Sequence, residues 1–215
     1  MAYTSVAQIR ALTNITSSDI SDADITILIG YATAQLNSDI NTRVIRERVG
    51  SIDLTRENSI DGSNTTFYVK NWKGKFIADM NNDGSINSSD IIVYIVNSTG
   101  TESTATVSTV TSSEGKFVLS SAPTTATAAE MYITYEWCFD DPSTPSARIA
   151  LACAFLTASY AYEKINAGMS PQQVYGNVRF MRDMQSGNKY FKRYTDQISM
   201  INSKMGDYAT AEDIF

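Results

Sequence analysis

The sequence predicts an α+β protein: a small helical bundle with an inserted antiparallel β domain. Three observations predict it. Apolar residues recur at helical spacing up to residue 40. From residue 44 to 137, short alternating or β-branched runs are separated by Asp-Gly, Thr-Gly and Glu-Gly. After residue 144 helical patterning returns. The bundle is then made of N-terminal helices (1–43) and two long C-terminal helices with a final tail (138–215), with the β domain (44–137) between them.

The first segment opens with a short helix or turn through Val6, Ile9 and Leu12. A longer helix follows Ser21, which with Asp24 has the form of a capping box, and Ile25, Leu28, Ile29, Ala32, Leu36 and Ile40 make its core-facing stripe. In the second segment Phe67 and Val69, residues 91–96, 107–110 and 117–119, and Met131, Ile133, Tyr135 and Trp137 each suit a strand of a small sheet or barrel. Residues 97–130 hold 16 Ser or Thr in 34 positions, a linker-like composition. Thr106-Val107-Ser108-Thr109-Val110 nevertheless alternates as a surface strand does, which assigns the stretch to the sheet.

In the third segment Thr144 is read as a cap with Pro145 at the first helical position. Residues 149–162 are apolar on nearly all sides, which marks the central, most buried helix, and Gly168 ends it. Ser170-Pro171-Gln172-Gln173 reads as a further capping box opening a long last helix toward residue 205, bent at Gly187. The helices pair across the gap in sequence, and the sheet projects as an arm.

At 215 residues the chain can bury a core without disulfides, and a net charge of -6 with a pI near 4.7 argues against a generally basic nucleic-acid binder. Cys138 and Cys153 lack metal-ligand spacing and are expected as reduced, buried or semi-buried thiols. The opening MAYTSVAQIRALT has no basic leader before an apolar core. The longest uncharged apolar-rich run is 14 residues, short of a bilayer span, so an intracellular origin and no membrane partner are expected. The absence of histidine removes the commonest general base and the usual triads, and no phosphate-binding glycine loop is present. Asp140 and Asp141, followed by Pro142, read as a turn. No enzymatic activity is expected.

Residues 79–90, DMNNDGSINSSD, carry the spacing of a twelve-residue calcium loop: Asp79, Asn81, Asp83, the Ser85 carbonyl, Asn87 and Asp90 at the ligand places, with Gly84 at the turn. The last ligand is Asp where glutamate is usual, which brings the loop closer to the dockerin type. Asn82, Asp83 and Gly84 also form a natural tight turn, so a purely structural turn competes with the ion reading. Phe76 and Ile77 before the loop, and the β-branched run after it, imply a connection between two strands. A single copy with no helix pair to open suits a staple better than a sensor.

Charge is uneven. Residues 170–205 contain Arg179, Arg182, Lys189, Lys192, Arg193 and Lys204 against Asp183 and Asp196, a net of +4 on an otherwise acidic chain. Tyr175, Phe180, Tyr190, Phe191 and Tyr194 interleave with that charge, as on surfaces that meet nucleic acid or an acidic protein; a solvated helix with its aromatics turned to the bundle is the other reading. Arg43, Arg46 and Arg48 form a second cluster, with Arg56, at the junction of helix and sheet. They suit pairing with carboxylates of a neighbouring subunit or plain solvent exposure. The ending Ala-Glu-Asp-Ile-Phe closes on Ile214 and Phe215, a pattern expected of a docking tail.

Four stretches in order, VAQIRALTNI with SDADITILIGYATAQLNSDI, then TRVIRER, then FIADMNNDGSINSSDIIVYIV with FVLSSAP and YITYEW, then ARIALACAFLTASYAYEKI before a long polar helix, carry a family likeness. Together they resemble the head-tail adaptor, or head-completion connector, proteins of tailed viruses of bacteria and archaea, over most of the chain. The resemblance implies a structural virion protein of the capsid neck, made in the host cytoplasm. It would form a ring, commonly of twelve copies, below the portal protein, joining it to a tail or tail-completion protein and touching packaged DNA without sequence preference. The metal loop and β insertion enlarge the usual compact adaptor. Another neck or tail-completion protein is the nearest alternative. A calcium-stabilised dockerin-like adhesion or scaffold module is a rival from a different class, and it would be expected to carry two loops and an export signal.

Overall fold

The computed structural model describes residues 3–54, 57–70, 76–125, 127–167, 172–175, 178–181 and 185–212. The chain is α+β and divides into two compact units, residues 41–144 and, from both ends of the sequence, Ala2–Ile40 with Pro145–Phe215.

The second of these is helical. α1 (Val6–Leu12) is closed by a capping box in which the Gln8 N–H donates to Ser5 Oγ at 3.3 Å and the Ser5 N–H to Gln8 Oε1 at 2.8 Å. α2 (Asp22–Ile40) begins after Ser21, whose Oγ accepts the Asp24 N–H at 3.1 Å. Its buried stripe is Ile25, Ile29, Ala32, Leu36 and Ile40, as the spacing predicts. α3 (Ala147–Ala167) is buried along most of its length and packs against α1, α2 and α4 (Gln185–Glu212). Leu36, Ile40, Ile149, Cys153, Leu156 and Tyr194 share one core cluster, so residues more than 100 positions apart in sequence build one interior.

Three helix expectations are corrected. α3 starts at Ala147, with the Ser146 carbonyl accepting the Ala150 N–H at 3.0 Å; Thr144 does not cap it, because its hydroxyl donates to the Asp141 carboxylate at 3.0 Å in the preceding turn. The last helix does not begin at residue 172. β9 (Gln172–Tyr175) and β10 (Val178–Met181) form an antiparallel hairpin with Tyr175 paired to Val178. Val174, Tyr175, Val178 and Phe180 favour strand, and Gly176-Asn177 supplies a two-residue hairpin turn sequence, so β chemistry outweighs the capping pattern. Gly187 falls in the first turn of α4 and marks docking, not a bend: Ser159 Oγ donates to its carbonyl at 3.0 Å. Gly168, Ser170 and Pro171 lie outside the described residues.

The β unit holds β1 (Thr42–Ser51), β2 (Thr66–Tyr68), β3 (Phe76–Ile77), β4 (Ile91–Val96), β5 (Glu102–Ala105), β6 (Val107–Thr111), β7 (Lys116–Leu119) and β8 (Glu130–Cys138). One sheet runs β1-β8-β4-β5 with β3 also on β8, and a second runs β2-β7-β6; all these pairings are antiparallel. Both sheets bury their inner faces in one core that includes Phe67, Val93, Phe117, Ile133 and Tyr135. β1 occupies the stretch taken for an exit from the helix, so the β unit begins at residue 41. Two irregularities, after Val44 and after Arg48, break the alternation that would have announced this strand. Among the described residues no helix is long and apolar enough to cross a membrane.

Candidate metal loop and charged faces

Residues 79–90 leave a single strand line and return to it. β1 occupies one edge of β8 as far as Trp137, so β3 and β4 share the other edge. Phe76 pairs with Cys138, Ile77 with Trp137, and the Ala78 N–H donates to the Glu136 carbonyl at 2.9 Å. The next ladder place, opposite Tyr135, belongs to Ile91. The twelve residues between are an excursion whose ends are neighbours on β8. Alternation carries across it, because Ile77 and Ile91 both enter the β core.

The excursion starts and finishes on a carboxylate. Asp79 is 7% exposed and Asp90 0%. The Asp79 oxygens accept the N–H groups of Gly84 at 2.8 Å and Asp83 at 3.2 Å. Asp90 accepts those of Met80 at 2.9 Å, Asn81 at 3.3 Å and Asn87 at 2.8 Å. Burial raises the Asp90 carboxyl above its ordinary value, and the charge of Asp79 adds to that, against the pull of the backbone donors. Among the described residues neither acid has an ion pair. Among the described residues the two buried acids are met by backbone N–H groups and by no cationic side chain.

The remaining ligand places line the same loop. Asn81 Oδ1 accepts the Asp83 N–H at 2.9 Å, Asp83 Oδ1 the Ser85 N–H at 2.8 Å, and Asn87 Oδ1 the Ser89 N–H at 2.8 Å. The Ser85 N–H, with the Asn81 amide, holds the Asp83 carboxyl below its ordinary value. Asn82 at φ 58° and Gly84 at φ 90° take left-handed backbone at the tip, a tight turn that the ion reading and the turn reading both require. No three carboxylate or thiol groups converge among the described residues. A cation here would therefore draw on amide and carbonyl oxygens too, a donor set that fits a hard ion such as calcium.

Two arginines of the junction, Arg46 and Arg48, are engaged within their own sheet. Arg46, at φ 58° in the first irregularity of β1, pairs with Glu102 on β5 and lies 5.0 Å from the Tyr94 ring centre and 5.5 Å from that of Tyr132. Arg48 pairs with Glu130 at 2.7 Å. Arg43 is exposed, with no ion pair among the described residues. On α4, Lys189, Lys192 and Arg193 are exposed, while Tyr190 and Tyr194 turn to the bundle and Phe191 stays 49% exposed. The bundle-facing reading holds for Tyr190 and Tyr194. Arg193 lies over the Phe155 and Tyr190 rings at 5.6 and 5.8 Å. Arg179 sits on β10. Arg182, Arg56, Ile214 and Phe215 lie outside the described residues.

Several organising residues carry no sequence signal. Glu47 accepts the Lys70 N–H at 2.7 Å and the Tyr135 hydroxyl at 3.1 Å. Asn58 bonds both the N–H and the carbonyl of Tyr68, at 2.7 and 2.8 Å, acting as a side-chain strand along β2. Ser112 Oγ donates to the Ile77 carbonyl at 2.7 Å. Both cysteines are free and buried, as expected, and burial pushes the Cys138 thiol up to about 12. No protein-family model matches the chain, and no curated protein sequence matches it.

Proposed function

We propose that this chain is a structural virion protein, a head-tail adaptor that assembles as a ring below the portal and connects capsid to tail. The observation that carries the reading is the helical unit made from both ends of the chain, with the β unit inserted between its second and third helices. That is the order of elements on which the family resemblance rests. Long-range bonds stitch this unit: Tyr194 to the Asp39 carboxylate, the Tyr190 hydroxyl to the Leu12 carbonyl at 3.0 Å, and Lys164 to Asp24 at 2.6 Å. A rigid repeating wall suits a closed ring, in which two different patches of each copy meet.

In such a ring the exposed Lys189, Lys192 and Arg193 of α4 would repeat around the axis. Weak contacts with packaged DNA or with acidic partner surfaces then add through multiplicity. The loop of Asp79, Asn81, Asp83, Ser85, Asn87 and Asp90 would hold calcium, which supplies positive charge between two buried carboxylates. Its role is stiffening. Asp79 and Asp90 fix the base, and the loop's backbone donors orient the remaining oxygens.

The test is co-assembly. The chain mixed with portal protein should form a ring complex by native mass spectrometry, and removal of residues 209–215 should impair that complex while leaving the monomer folded. Full assembly by the truncated chain would remove the docking tail from the account. Localisation of the chain elsewhere in the neck would favour a tail-completion role.

A further inference from the structure

We propose that ion occupancy of the 79–90 loop and pairing of β3 with β8 are one equilibrium, so that loss of the ion lifts β3 and uncovers Cys138. This rests on the calcium reading and adds a conformational consequence to it.

The strand line supplies the argument. β3 and β4 lie end to end along β8, separated only by the excursion, and the ladder place after Ala78 is filled by Ile91. The two strands can both stay paired only if Asp79 and Asp90 remain adjacent. Without a cation those buried carboxylates repel at the point where the line must close. Of the two strands, β4 holds β8 through six paired residues, Ile91–Val96, whereas β3 holds it through Phe76, Ile77 and the Ala78 N–H. The shorter ladder yields first.

Lifting β3 has local consequences. Phe76 is the pairing partner of Cys138, and the Cys138 sulfur lies 3.8 Å from the Phe76 carbonyl oxygen while its thiol donates to the Asp140 carbonyl at 3.1 Å. Ile77 and Ala78, each 1% exposed, leave the core with it, and Ser112 loses its acceptor on Ile77. Cys153 belongs to the helical unit, fully buried against Thr33, and shares none of these contacts. It is the built-in control.

The experiment uses the full chain, with terbium luminescence to report binding and peptide mapping after brief alkylation to report each thiol. In calcium, both cysteines should react slowly. In chelator, Cys138 should react about tenfold faster or more, as expected of a local opening, with Cys153 unchanged. A chain with residues 79–90 deleted, joining Ala78 to Ile91, should keep Cys138 protected with or without chelator, because the strand line is then continuous. Terbium binding with an unmoved Cys138 rate would overturn the coupling and leave the ion site standing. Absence of any metal binding would remove both. Equal acceleration of the two thiols, or a deletion chain that exposes Cys138, would also overturn the proposal.

Discussion

Two clusters of positive charge, one on each unit, are used in opposite ways. In the β unit Arg46 reaches past Tyr132 and Tyr94 to Glu102, and Arg48 is paired with Glu130, so both guanidinium groups organise the outer face of the sheet. On α4, Lys189 and Lys192 are exposed and form no ion pair among the described residues. Two clusters that look alike in sequence therefore differ in what they leave for a partner. Acidic groups show the reverse contrast. In the helical unit Asp24 and Asp39 bind groups on other helices, whereas Asp79 and Asp90 of the β unit accept backbone N–H groups of their own loop.

Separate cores make the strongest way to break the comparison. Phe117→Ala and Leu156→Ala, both at 0% exposure, should cost about 3–5 and about 2–5 kcal/mol respectively. Hydrogen exchange should show early loss of protection in the β unit for the first and in the helical unit for the second. Uniform loss in either variant would mean that the two units do not hold independent interiors. The metal loop comes next. Calcium at a hundredfold excess over its Kd should stabilise the wild-type chain by about 2.7 kcal/mol, and Asp79→Ala or Asp83→Ala should abolish both that gain and the response to chelator. A wild-type melting curve that ignores chelation would leave the loop as a turn alone.

Charge reversal of roles gives a smaller effect with a sharper reading. Lys189→Ala with Lys192→Ala should leave stability within about 0.5 kcal/mol of wild type and lower the salt sensitivity of partner or DNA binding. Arg46→Ala should do the opposite, loosening β5 in hydrogen exchange without altering binding. Matching behaviour in the two variants would erase the distinction drawn between the clusters. The smallest effect concerns Asp24, whose carboxyl is held below its ordinary value, first by Lys164 and then by Ser21. A lowered folded-state value means stability present above the ordinary carboxylate value near 3.8 and lost as pH falls through the folded one. Asp24→Asn should flatten the acid limb of the stability profile slightly, and an unchanged limb would show that the exposed pair contributes nothing.

Much of the fold was legible where local chemistry is self-sufficient. The buried stripe of α2, the strands around Ile91, Phe117 and Ile133, and the strand-to-strand setting of the loop all follow from period and turn residues. The hairpin of β9 and β10 was hidden because Ser170-Pro171-Gln172-Gln173 imitates a helix start, although Tyr175-Gly176-Asn177-Val178 held the competing signal. β1 was hidden by its irregularities, which no periodicity reveals. In the loop, residue types and spacing were readable, but the adjacency of Asp79 and Asp90 was not. It is imposed by β8, whose partners of Phe76, Ile77 and Ile91 lie 44 to 62 positions further along the chain, through a register that only pairing discloses. The engagement of Arg46 and Arg48 was unreadable for the same reason, since Glu102 and Glu130 arrive from distant strands.

The most direct measurement of the central claim is an image of the particle vertex with this chain located in it. The account predicts a closed ring of identical copies below the portal, with helical units forming the wall and Lys189, Lys192 and Arg193 repeated toward a partner or the channel. Density showing the chain as a lone, non-repeating subunit, or missing from the neck altogether, would contradict it.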